Sequence, residues 1–263
     1  MAFELASRRT CPGLSVFVLV TWVTSAALTV GWCSSMSEMG GMPMPGGWTM
    51  SMTWMRMPGR TWPGAASAFV GMWVVMMAAM MLPSLIPVLW RYHERVGAMA
   101  PAWAGRSTMA VAAGYFAVWT ALGIAAFPLG VTLAELAMQQ PAAARVVPAA
   151  GALLVLIVGA TQFSAAKARH LACCRDVPVD GPAPHPRMQP AWRAGWRHGL
   201  RCARACAGPT AVLFALGVMD PVVMALVGAA ITLERLVPSG ARAIGLACAL
   251  GGLVLLGRAA GLA

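Results

Sequence analysis

Six long apolar runs, joined by shorter stretches that hold nearly all the charge, govern what this chain can fold into. They are Leu14–Cys33, Ala65–Trp90, Ser107–Gly130, Arg145–Ala166, Ala207–Leu233 and Gly240–Gly257. A helix of about 20 apolar residues crosses the hydrocarbon core of a bilayer, and each run meets that length. Only 10% of the 263 residues are charged, against about 25% in an ordinary soluble domain. Pro83, Pro87, Pro128 and Pro221 lie inside the runs, where membrane helices tolerate them. The reading is an all-α, polytopic membrane bundle of about six transmembrane helices. Its partner is the lipid bilayer, and its expected location is the cell (inner) membrane, as a multi-pass protein.

The first run follows Arg8 and Arg9 and resembles a signal peptide. Gly31-Trp32-Cys33 is a poor cleavage site, so residues 1–33 are taken as a retained signal anchor. Orientation follows from the 19 Lys and Arg residues. With the N-terminus inside, only Arg56, Arg60, Arg145, Arg235 and Arg242 fall in outer segments, and the rest fall inside. Both termini are then cytoplasmic. Residues 34–63 form an external loop, and residues 64–258 a five-helix membrane domain with a cytoplasmic loop at 167–206. The centre of that loop, Asp176–Pro190, is Pro-rich and irregular, while Gln162–Arg175 and Ala191–Cys206 extend the flanking helices. The formal net charge of +11 is spread over these short flanks, where it sets topology and meets anionic lipid. Nucleic acid is therefore not an expected partner.

The external loop is dense in methionine: Met36, Met39, Met42 and Met44, then Met50, Met52, Met55 and Met57. Gly40, Gly41, Pro43, Pro45, Gly46 and Gly47 interrupt it and predict a flexible segment. Thioether sulfur is a soft, uncharged ligand that favours Cu(I). The alternative is an apolar loop on the membrane surface, with Trp48, Trp54 and Trp62 at headgroup level. The second run repeats the theme: Met72, Met76 and Met80 recur every fourth residue and share a helix face, with Met77 and Met81 beside them. Any one of these could equally be lipid-facing or packing. Near the middle of the fifth run stand Met219 and Asp220, with Met224 one turn on. A mid-membrane carboxylate is a functional-site hypothesis by default, the alternative being a protonated, hydrogen-bonded Asp. Glu234, near the end of that run, is read as solvated. On the inner side, His198, Cys202 and Cys206 lie at four-residue spacing, as do His170 and Cys174. Thiolate and imidazole suit Cu(I), and zinc is the second metal for this cluster. Nearby arginines favour the thiolate form. No nucleotide-binding P-loop, H-E-x-x-H or G-x-S-x-G motif occurs.

Several of these residues carry a resemblance. Trp73-Val-Val-Met76-Met77-Ala-Ala-Met80-Met81-Leu-Pro83, Gln162 with Lys167, Cys174-Arg175, Trp192-x-x-Gly195, Gly199-x-x-Cys202-x-x-x-Cys206, Met219-Asp220 and Glu234-Arg235 resemble a bacterial family of predicted metal-binding integral membrane proteins, some of whose members are labelled copper chaperones. The likeness covers about residues 62–236 and implies metal handling. Three positions depart from the pattern: His170 stands where the family tends to have Cys, Ala205-Cys206 replaces a Cys pair, and Asp220 replaces Asn. The leading expectation is a membrane protein that captures Cu(I) outside, holds it in the bundle, and exchanges it with a copper-donating or copper-accepting protein. The alternatives are a metal-dependent oxidase subunit, short of clustered histidines, and a metal-free scaffold.

Overall fold

The computed structural model describes residues 12–38, 40–56, 59, 61–175, 188–237 and 239–261. They form eight helices and one two-stranded sheet: α1 (Pro12–Glu38), β1 (Gly41–Met44), β2 (Trp48–Ser51), a 3-10 turn (Met52–Trp54), α2 (Trp62–Met99), α3 (Pro101–Gln139), α4 (Pro141–Thr161), α5 (Ala165–Arg175), α6 (Met188–Leu216), α7 (Pro221–Leu236) and α8 (Gly240–Ala259). Prolines in the first turns start several helices, where their missing N–H costs nothing. Pro63 follows the Thr61 cap of α2, and Pro101, Pro141 and Pro221 open α3, α4 and α7.

Five helices, α1, α2, α3, α4 and α8, are long and apolar enough to cross a membrane. Their outward faces agree. Val16, Phe17, Leu19 and Val20 of α1 and Leu246, Leu250 and Leu253 of α8 are all more than half exposed, an apolar surface that water would not tolerate. The core sits around α2, whose Phe69, Met72, Trp73, Met76, Met77, Met80, Met81 and Leu85 are buried. Helix α3 runs antiparallel to α2, with Trp73 Nε1 donating to the Trp119 carbonyl at 2.8 Å and His93 Nδ1 lying 3.2 Å from Thr108 Oγ1. Helix α6 runs parallel to α3 at very close range, because glycines face backbone. Gly195 abuts the Val111 carbonyl, and Gly114 abuts that of Trp192.

The expected fifth span is not one helix. The chain leaves α6 at Leu216, turns through Gly217–Asp220 and returns as α7. Gly217 takes φ +133°, a region open to glycine. Asp220 then caps α7, its Oδ1 accepting from Val222 N at 2.8 Å and Val223 N at 3.1 Å. The reversal brings Gly228 against Met80, and Arg235 next to Ser84 and Cys202. The direction of the last helix is reversed as well. Gly245 packs at Gln162 and Gly252 at Leu156, so α8 is antiparallel to α4 and parallel to α3 and α6. The expected helical continuation after the fourth span is also broken, by a turn at residues 162–164 between α4 and α5.

A proline inside a helix frees the carbonyl four residues earlier. Three such carbonyls are taken by distant side chains. Pro83 frees Ala79, which accepts from Trp22 Nε1 of α1 at 2.9 Å. Pro148 frees Ala144, which accepts from Trp48 Nε1 of the hairpin at 2.9 Å. Pro209 frees Ala205, which accepts from Lys167 Nζ of α5 at 2.7 Å.

This pairing predicts a conditional effect. Trp48→Phe should lower unfolding stability by about 1–2 kcal/mol, the cost of an orphaned buried carbonyl. In a Pro148→Ala background, where the helix repairs itself, the same change should cost much less. Thermal unfolding of the four proteins in detergent measures the difference, and equal costs in both backgrounds would refute the account.

Candidate functional site

Helix α6 delivers three residues of one face to the interior: His198, Cys202 and Cys206 are all buried at the four-residue spacing that keeps them in line. The two sulfurs are 4.0 Å apart. Arg235, arriving from the end of α7, donates Nη2 to Cys202 Sγ at 2.6 Å and to Cys206 Sγ at 3.4 Å. Its Nη1 donates to Ser84 Oγ of α2 at 2.9 Å. The Tyr115 hydroxyl of α3 lies 2.9 Å from Cys202 Sγ. Contacts this short between a guanidinium and sulfur are charge-assisted and favour thiolate at Cys202. His198 lies one turn earlier, its ring centroid 5.7 Å from that of Tyr115. Among the described residues neither of its ring nitrogens has a hydrogen-bond partner.

A second polar group adjoins the first. Glu234 is 1% exposed, pairs with Lys167 Nζ at 2.7 Å and accepts from Gln162 Nε2 at 2.6 Å. The expectation of a solvated Glu234 is therefore corrected: the chain reversal at Gly217 carries it inward, to the α4–α5 turn. Lys167 serves both groups, since it also holds the Ala205 carbonyl between the two cysteines.

Around and beyond the thiols lies sulfur. Met72, Met76, Met77, Met80 and Met81 of α2, Met224 of α7, and Cys33, Cys202 and Cys206 belong to one continuous buried cluster, with Met219 packed against it. The methionine face of α2 thus points inward, not to lipid. Asp220 stays outside this cluster. It is exposed at the tip between α6 and α7, with its carboxylate engaged by the α7 backbone, and the mid-helix position expected for it does not occur.

The methionine-rich segment is also more ordered than the Gly and Pro content suggests. Residues 41–51 form an antiparallel hairpin in which Met42 faces Met50 and Met44 faces Trp48. The turn is closed by Gly46 and Gly47, at φ +103° and +75°. Met44 and Met50 are buried against Ala134, Ala137 and Ala144, with Met42 and Trp48 packed alongside. Met36 is half-buried at the end of α1, and Met39 falls outside the described residues. On α5, His170 is exposed and Cys174 lies in the last turn, its side chain outside the described residues.

The structure therefore gathers Met76, Met80, Met219, Cys202 and Cys206 in or against one core, with His198 adjoining. It leaves Asp220, His170 and the hairpin methionines elsewhere. Among the described residues no group of three or more His, Cys, Asp or Glu side chains is placed to hold a metal. Tyr115 and Ser84 entered no motif on sequence grounds, and Arg235 entered only as the second member of the Glu234-Arg235 pair in the family resemblance. The available signals were a tyrosine inside an apolar run and an arginine directly after Glu234.

The chain belongs to the PpoB2 family, described as copper chaperones, whose model matches residues 70–258. No curated protein and no solved structure shows significant similarity to it.

The buried ion pair has a measurable signature. Glu234→Gln or Lys167→Met alone should destabilise the protein by roughly 3–5 kcal/mol, since each strands a buried charge. The double variant should recover most of that loss. A double-mutant cycle on detergent unfolding reads the coupling, and simple additivity would mean the pair is not buried as described.

Proposed function

We propose that this protein is a multi-pass membrane copper chaperone that holds Cu(I) on the Cys202–Cys206 thiol pair and exchanges it with a partner protein. The observation that carries the reading is the spacing of the two sulfurs, 4.0 Å, at the edge of a core lined with thioethers. Two metal–thiolate bonds of about 2.3 Å span up to about 4.6 Å, so one ion fits between the sulfurs without helix distortion. Thiolate and thioether are soft donors and select Cu(I). Zn(II) prefers four ligands in a tetrahedron, and among the described residues two thiols converge here.

The remaining sulfur supplies the approach. Met42, Met44 and Met50 share one face of the hairpin, and that end of the bundle is the intake. The distribution of arginine supports an inner location for the opposite end, because Arg193, Arg197, Arg201 and Arg204 stand exposed on the first part of α6. Cys33, the α2 methionines and Met224 share one buried cluster with the thiol pair, and Trp54 packs against both that cluster and the hairpin methionines. Thioethers bind without losing a proton and so release readily, whereas thiolates hold. The ion therefore passes from weaker to stronger donors along the core, and no nucleotide-binding motif is needed to drive it.

Two measurements test the reading. Anaerobic loading of the detergent-purified protein with Cu(I), followed by elemental analysis, should give a bound ion that is lost in Cys202→Ser plus Cys206→Ser. Copper retained in full by that variant would overturn the thiol assignment. Replacing Met42, Met44 and Met50 by Leu should keep the fold and the final copper content but slow uptake severalfold. An unchanged rate would remove the hairpin from the route.

A further inference from the structure

We infer that His198 forms a second metal position with Cys202, from which the ion leaves for its partner. The inference rests on the proposed thiol site at Cys202 and Cys206 and adds the step that follows it.

A buried imidazole normally has a hydrogen bond on at least one nitrogen. His198 is 3% exposed, and among the described residues neither nitrogen has one. An aliphatic side chain would fill the same space without stranding two polar atoms. Packing alone therefore does not account for the ring, whereas a nitrogen lone pair left open beside soft donors is a ligand for copper. Tyr115 ties the ring to the thiols. Its own ring centroid is 5.7 Å from that of His198, and its hydroxyl is 2.9 Å from Cys202 Sγ.

The spacing sets how the three residues share one ion. Residues four apart on a helix are separated by about 6 Å along its axis, and a pair at that spacing can hold one metal ion. Cys202 belongs to two such pairs, one with Cys206 and one with His198. His198 and Cys206 are eight positions apart, about 12 Å along the axis, and among the described residues no three His, Cys, Asp or Glu donors converge. The ion is thus held by one pair and then the other, with Cys202 common to both. The move breaks the bond to Cys206 Sγ and forms one to a His198 ring nitrogen, while the bond to Cys202 Sγ persists. Copper stays Cu(I) throughout. The freed Cys206 thiolate keeps its electron pair and its contact with Arg235 Nη2 at 3.4 Å.

Direction follows from position and charge. His198 lies one turn nearer than Cys202 to the exposed Arg193 and Arg197, at the end assigned to the inner side. One thiolate and one neutral ring attract a cation less than two thiolates do. A weaker last position is what exchange with a partner requires, because an ion held by two buried thiolates leaves slowly.

The test isolates the second position in the full-length protein, in detergent and without oxygen. Cys206→Ser removes the first pair and leaves the second. Loaded with Cu(I), it should keep bound copper, and X-ray absorption should show one sulfur and one nitrogen donor. Adding His198→Leu should remove the nitrogen and weaken binding by about tenfold or more, the least that damage to a metal site usually costs. With both cysteines present, His198→Leu should leave the copper content unchanged and slow its release to bathocuproine disulfonate severalfold. A Cys206→Ser protein that binds no copper, or binds it without nitrogen, would overturn the second position and leave the thiol pair standing. An unchanged release rate in His198→Leu would do the same. Circular dichroism checks helicity, and where His198→Leu does not fold, the Cys206→Ser spectrum decides. Full copper retention in Cys202→Ser plus Cys206→Ser would instead overturn the thiol site on which both positions depend.

Discussion

A carbonyl that loses its helical partner inside a hydrocarbon layer has no water to turn to, and this chain places prolines where they create that problem. Ala79, Ala144 and Ala205 each stand four residues before a proline and each accept a hydrogen bond from another element. In all three the exposed carbonyl belongs to an alanine, whose small side chain lets a tryptophan or lysine approach. Without the prolines, α1, the hairpin and α5 would have no polar anchor at these points. With them, each is bound to the bundle by a bond that water cannot replace. The third anchor matters most, because Lys167 joins the α6 backbone between the two cysteines to the Glu234 carboxylate of α7.

From that anchor the interior of the site is built. Two cations, Lys167 and Arg235, and one carboxylate, Glu234, are brought to the junction of α2, α5, α6 and α7, and buried charges persist only when they meet partners. Lys167 and Glu234 answer each other. Arg235 turns to sulfur, which explains how two cysteines sit in an apolar core with at least one of them favoured as thiolate. The glycine contacts between α3 and α6 make this possible, since Gly195 and Gly199 allow α6 to lie close enough for Tyr115 to reach Cys202. Larger residues there would widen the gap and separate hydroxyl from thiol.

Much of the helical architecture was legible in the apolar runs, and the methionine spacing on α2 correctly predicts a shared face. What hydropathy could not show is where a run reverses. Gly217-Val-Met-Asp220-Pro221 carries a helix-start signal, an Asp cap before a first-turn proline, but its apolar flanks hide it in any long window. Glu234 looked solvated because its partner Lys167 is 67 residues away in sequence, and long-range pairing leaves no local trace. Arg235 was counted among the outer loop charges for the same reason. The hairpin was hidden by its own turn: Pro45-Gly46-Gly47 signals loss of helix, and only the burial of Met44, Trp48 and Met50 against α3 and α4 makes the flanking residues pair as strands.

The reversal at Gly217 is what turns a membrane bundle into a site. Cys202 and Arg235 are 33 positions apart, and as one helix they would lie about 50 Å from each other, farther than a bilayer core is thick. The guanidinium would then sit at the opposite surface, and the thiols would face an apolar core with no charge to hold a thiolate. Folding the run into two antiparallel helices brings the charge back past the α2 methionines to the sulfurs. A glycine that reaches φ +133° and an aspartate that caps the returning helix thus place an arginine that sequence order alone would send to the far side of the membrane.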